Sequence, residues 1–180
     1  MTTLQSPSRR RALTALSLAV AAPLSRAAGG PNAALRRHSP APEFAGIETW
    51  LNSEPLSMAA LRGQVVMVDF WTFACINCVH VLPHVVQWHE EYKGRGLVVV
   101  GVHTPEFAFE RDTANVKKAI QRHGIRYAVA QDNKFATWNA YRNRYWPTAY
   151  LIDRSGELVF QHAGEGAYAE TERTIELLLG

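Results

Sequence analysis

Cysteine is scarce: the 180 residues contain two. That excludes a scaffold built on disulfides and, within one chain, a zinc site made of four cysteines. Glycine (12) and proline (9) are too few for a low-complexity chain, and no internal repeat is present. The N-terminal apolar run, Ala12 to Leu24, has 13 residues, short of the roughly 20 that a bilayer-spanning helix needs. A basic excess is missing as well. Four of the 19 basic residues and no acid lie in residues 1–27, so the formal charge of +3 falls to −1 without them. What remains does not suit a phosphate backbone, and no nucleic-acid partner is expected. With 47% hydrophobic and 19% charged residues, the chain has ordinary globular composition, one domain plus a tail.

The tail has the order of an address. Ser8-Arg9-Arg10-Arg11-Ala12-Leu13 precedes the short apolar run, and Ser25-Arg26-Ala27-Ala28 follows it. A basic segment, a short apolar segment and small residues at a cleavage site define a secretory signal, with cleavage expected after Ala27. The alternative is an uncleaved amphipathic anchor. The arginines resemble a twin-arginine signal, although Ala12 and Thr14 replace its usual Phe and Lys. Residues 28–42, with Pro40 and Pro42, read as a linker, and 43–180 as the folded domain.

Within that domain, apolar runs and helical patterns alternate. Val65 to Trp71 is a nearly continuous β-branched and aromatic run, as in a strand buried on both faces. Residues 76–93 follow with helical spacing at Val79, Leu82, Val86 and Tyr92 and stop at Gly94 and Gly96. Residues 97–102 predict a second buried strand, 112–123 a helix, 127–130 a strand, 134–141 a short helix, 148–153 and 157–161 a hairpin, and 171–179 a closing helix. Residues 47–51 read as an added edge strand. This order predicts an α/β fold, a mixed sheet with helices on both faces.

The two cysteines form Cys75-Ile76-Asn77-Cys78 at the junction of the first core strand and its helix. A helix N-terminus offers unpaired N–H groups and about half a positive charge, which favours a thiolate. Cys75 is therefore the candidate attacking sulfur, and Cys78, one turn further in, the candidate resolving sulfur. Other readings compete. A structural bridge closing so small a loop contributes only about 2 kcal/mol. Half a zinc site needs two more ligands, for which His80 and His84 are spaced. Haem attachment fails because Val79, not His, follows Cys78.

From Val68 to Cys78 the sequence resembles the thioredoxin superfamily. Its exported TlpA-like branch is closest, in particular the soluble redox domain of DipZ-type proteins. The likeness runs from about Phe44 to Leu179, through Trp50-Leu51-Asn52-Ser53, Leu61-Arg62-Gly63, Gly101 to Phe107, Tyr145-Trp146-Pro147-Thr148 and Gly164-Glu165-Gly166. It implies a thioredoxin fold with an N-terminal extension and a central insertion before the last hairpin. It implies a redox-active Cys75–Cys78 disulfide exchanging with exported proteins that carry thiols or disulfides, without a cofactor or metal. The membrane-spanning electron-transfer domain of DipZ-type proteins is not in this sequence, so a separate membrane electron donor is expected. The compartment implied is the periplasm.

The resemblance also carries individual positions. Pro147 matches the family's cis-proline, which presents the backbone of Trp146 to an extended substrate. Asp69, six residues before Cys75, matches a buried acid that takes the Cys78 proton; the alternative is a strand-end Asp turned to solvent. Pro83 matches a helix-kinking proline. Trp71, Phe73 and Trp146 are expected to form an apolar docking patch, with Trp71 partly in the core. His103 and Glu106 lie beyond the second strand, as groups behind the site or as surface loop. His80, two residues past Cys78, could tune the thiols. Gly164-Glu165-Gly166 is expected to be a turn whose Glu caps the last helix. Two further functions stand beside disulfide exchange. Thr72, three residues before Cys75, gives a partial peroxidase pattern, and Cys75, Cys78 and a histidine could carry copper.

Overall fold

A computed structural model describes residues 1–3 and 39–180. The proposed address at 1–27 therefore lies, apart from its first three residues, outside the described residues. The fold is built on β3, Val65–Trp71, in which all seven residues are buried. Side chains alternate across a strand. Val65, Met67 and Trp71 enter one core, and Val66, Val68 and Phe70 enter the other.

β3 runs into α1, Ile76–Tyr92, which returns through a short 3₁₀ turn at Lys93–Arg95 to β4, Leu97–His103, parallel to β3. Gly96 makes the tight return at φ 102°, a conformation costly for any side chain. The buried stripe of α1 is Cys78, Val81, Leu82, Val85, Trp88 and Tyr92. It is rotated from the expected Val79 and Val86, which are only half-buried, so Cys78 points into the protein. α2, Thr113–Arg122, is capped by Asp112, whose carboxylate accepts from Ala114 N at 2.7 Å, and buries Val116, Ala119 and Ile120 as expected.

β5, Ala128–Gln131, and α3, Ala136–Ala140, supply the insertion before the hairpin of β6, Thr148–Ile152, and β7, Glu157–Ala163. α4, Tyr168–Leu179, closes the fold. It starts three residues before the expected Thr171, because Ala167 adopts φ 52° and turns the chain early. The edge strand at 47–51 is β2, Thr49–Leu51, antiparallel to β5. With β1 at Ser39–Pro40, the sheet order is β1-β7-β6-β3-β4-β5-β2. Helices α1, α2 and α4 contribute to one core, and α3 with Met58 and Leu61 to the other.

One boundary differs from the sequence reading. β1, Ser39–Pro40, lies inside the segment read as linker yet pairs antiparallel with Leu158 and Glu157 of β7, and Ala41 N donates to Gly156 O at 3.0 Å. Proline lacks an N–H and is tolerated on a sheet edge, so its presence there did not forbid a strand.

Candidate active site

The site forms where β3 ends and α1 begins. Cys75 is the N-cap residue of α1, in extended conformation, and no side chain caps the first turn. The free amides there face the sulfur's end of the helix. Cys75 is half-buried and Cys78 is 1% exposed; both are free thiols. The Cys75 thiol donates to Trp146 O at 3.8 Å, and the peptide bond between Trp146 and Pro147 is cis. The β3–α1 junction and the β6 entry thus meet at one sulfur. Burial pushes the Cys78 thiol well above its ordinary value, opposed by a backbone hydrogen bond with Thr72 and reinforced by Cys75 and the charge of Asp69.

Asp69 is 1% exposed, on the same face of β3 as Met67 and Trp71. The alternative of a solvent-facing strand-end Asp does not hold. Its Oδ1 has no hydrogen-bond partner, and burial raises its pKa from 3.8 to about 7. It lines a small cavity with Pro147, His162, Tyr168 and Thr171.

The expected docking patch divides. Trp71 is fully buried and cannot touch a docked partner, because its position on β3 faces the core under α1. Phe73 and Trp146 are half-buried. Trp146 is fixed by its ring nitrogen, which donates to Thr104 O at 3.0 Å, and by a tilted ring contact with Trp138 at 4.2 Å. Pro147 is itself buried, so its contribution to the site surface is the preceding backbone.

His103 is fully buried, stacked on Phe73 at 5.5 Å and edge-on to Trp71 at 5.1 Å. Burial lowers its pKa to about 4, so the ring is neutral at pH 7. Glu106 is exposed. The acid that serves the site is Glu110, which sequence reasoning passed over. Its side chain is fully buried. Oε1 accepts from the Thr72 hydroxyl and from Ala74 N at 3.0 Å, and Oε2 accepts from Glu106 N and Phe107 N, each at 2.8 Å. Four donors compensate a desolvated carboxylate, which is otherwise costly to bury. Glu110 lies in the 3₁₀ turn Ala108–Arg111, among exposed neighbours, and nothing in that spacing signals burial. The same turn presents Phe107 and Phe109, also unforeseen.

Glu165 does not cap α4. Its Oε2 lies 3.1 Å from Nδ1 of His80, because the glycines beside it, at φ 92° and 109°, carry the loop toward α1. His84 instead stacks on Tyr168 at 3.8 Å, so the two histidines do not converge. Among the described residues no group of three or more His, Cys, Asp or Glu is arranged to hold a metal ion. Thr72, the residue of the peroxidase pattern, is fully buried, and its hydroxyl is committed to Glu110.

Residues 38–161 match the AhpC/TSA family. The chain belongs to that family. It is 50% identical over 142 residues to Protein DipZ of Mycobacterium tuberculosis, which covers 77% of this chain and 20% of DipZ, so the chain spans about a fifth of that relative's length. It is 27% identical over 145 residues to thiol-disulfide oxidoreductase YkuV of Bacillus subtilis, covering 81% of this chain and 97% of YkuV. Among solved structures, a thioredoxin-like protein in its oxidized form superposes with a TM-score of 0.72 at 29% identity, covering 79% of this chain and 95% of that one. The fold is thioredoxin-like, and this domain is a thiol–disulfide oxidoreductase.

Proposed function

We propose that the domain reduces or isomerises disulfides of exported proteins through the Cys75–Cys78 pair. The observation that carries the assignment of roles is the asymmetry of the two sulfurs. Cys75 is accessible at a helix N-terminus beside the Trp146 carbonyl, whereas Cys78 is buried and held protonated by its surroundings.

The Cys75 thiolate attacks a substrate disulfide. One substrate sulfur leaves as a thiolate and takes up a proton, and the other stays bonded to Cys75. Cys78 then gives its proton to the Asp69 carboxylate and attacks the Cys75 sulfur, and the second substrate sulfur leaves as a thiolate that takes up a proton from solvent. Two electrons have passed to the substrate, and Cys75–Cys78 is left as a disulfide for a separate thiol donor to reduce. A carboxyl with a pKa of about 7 is matched to this transfer near neutral pH. The backbone of Trp146, before cis-Pro147, is placed to pair with an extended substrate, with Phe73 and the Trp146 ring beside it. Residues 1–27 support export to the periplasm as a signal peptide, and the donor is then a membrane protein on that side. Among the described residues no helix is long and apolar enough to cross a membrane.

The test is trapping. A Cys78→Ser variant accumulates mixed disulfides through Cys75 with exported proteins, and a Cys75→Ser variant does not. The opposite pattern reverses the roles.

A further inference from the structure

Around Cys75 the surface is more apolar than single scattered side chains would make it. Phe107 and Phe109 are 49% and 54% exposed, and their rings are parallel within 4° at 5.7 Å. Phe73, two residues before Cys75, lies 5.9 Å from Phe109. Ile76, the residue after Cys75, is 63% exposed. The linked rings of Phe73, Phe109 and Phe107 form a partly exposed apolar patch, and such a patch marks an interaction surface.

The patch is held in place. Glu110 receives the amides of Glu106 and Phe107 on one oxygen, and the Thr72 hydroxyl and Ala74 amide on the other. One buried carboxylate therefore fixes the phenylalanine turn in register with the segment that leads into Cys75. A side chain bound on the turn is bound at a set offset from the sulfur.

Beside the patch lies a cleft of about 230 Å³, lined by Phe73, Phe109, Asn115, Lys118, Ala119 and Arg122. The last four recur at helical spacing on α2 and form one wall. Asn115 ties that wall to the turn by donating to Phe109 O at 3.0 Å. The cleft is smaller than the roughly 300–1,000 Å³ of sites for drug-sized ligands, and its scale suits side chains of a polypeptide. Its two charged lining residues, Lys118 and Arg122, are both cationic and exposed, and neither is in an ion pair among the described residues.

We propose that this cleft and the Phe107–Phe109 shelf dock a protein segment carrying an aromatic or large aliphatic side chain next to carboxylates, close to the cysteine being exchanged. The apolar side chain packs into the cleft against Phe73 and Phe109, and the carboxylates face Lys118 and Arg122. This rests on the dithiol-exchange reading and adds a substrate preference to it.

The experiment uses the reduced full chain and three peptides whose single cysteine is linked to thionitrobenzoate, flanked by Glu-Phe, by Lys-Phe or by Ala-Ala. Release of thionitrobenzoate is followed at low and high salt. Each rate is divided by that peptide's rate with dithiothreitol, which removes differences in intrinsic reactivity. The Glu-Phe peptide is expected to react about tenfold faster than the Lys-Phe peptide at low salt, with the ratio falling toward one at high salt. A Lys118→Glu/Arg122→Glu variant is expected to invert the order. Phe109→Ala is expected to bring the Glu-Phe rate down toward that of Ala-Ala. Equal normalised rates for all three peptides, with brisk release, overturn the docking proposal and leave exchange intact. No release from any peptide overturns the exchange reading, and the docking proposal with it.

Discussion

Replacing Asp69 by asparagine separates the cost of its charge from its use. The carboxyl titrates near 3.8 when unfolded and near 7 when folded, because burial disfavours the ionised form. At 1.36 kcal/mol per pH unit the gap corresponds to about 4 kcal/mol. The sign follows from proton counts. Between pH 4 and 7 the unfolded carboxyl has lost its proton while the folded one keeps it, so the native state binds more protons. Stability therefore falls as pH rises through that window and levels off above about 7. An amide has no charge to bury. The Asp69→Asn variant should match the wild type near pH 4 and exceed it by up to about 4 kcal/mol at pH 8. Urea unfolding of both proteins at pH 4.5, 6 and 8, with thiols kept reduced, measures the difference, in which every other titrating group cancels. A gap of equal size at all three pH values, or one that shrinks with rising pH, refutes the buried-charge argument. The same variant lacks the proposed proton acceptor, so resolution of a Cys75 mixed disulfide by Cys78 should slow near neutral pH. An unchanged rate would leave Asp69 without a part in the chemistry.

Three further expectations come from the surroundings of the dithiol. Glu110→Gln presents an amide group to two backbone donors that now share Oε2, and should cost about 2–4 kcal/mol in urea unfolding, with faster hydrogen exchange at Phe107. His103 should stay neutral from pH 5 to 8 by NMR titration of its ring. Its folded pKa of about 4 lies below the unfolded 6.5, so the stability this adds is lost as pH falls from about 6.5 toward 4. Gly101→Ala places a Cβ 2.9 Å from both the Trp71 ring nitrogen and the Tyr127 ring, two rigid buried groups. It should cost about 1–3 kcal/mol in thermal or urea unfolding.

Much of this protein is legible along the chain, because local pattern determines it. Seven consecutive buried residues leave β3 no solvent face, and their β-branched and aromatic character follows directly. The cysteine pair announces itself by its spacing and by its place before a helix. Glu110 does not, because burial of an acid inside a short 3₁₀ turn depends on three backbone amides and one hydroxyl drawn from two chain segments, which only folding assembles. Glu165 is the reverse case: a local cap was expected, and a histidine 85 positions away in the chain took the carboxylate. Trp71 was uncertain for a similar reason, since a strand residue's face is set by register against neighbours. The strands and helices from β2 onward, their order and the place of the cysteine pair follow from patterns among residues near one another in the chain, whereas the edge strand β1 does not. The tertiary structure decided which sulfur is buried, which acid is desolvated and which aromatics are displayed. Those properties belong to the packing of distant segments, where the dielectric surroundings of each group are made.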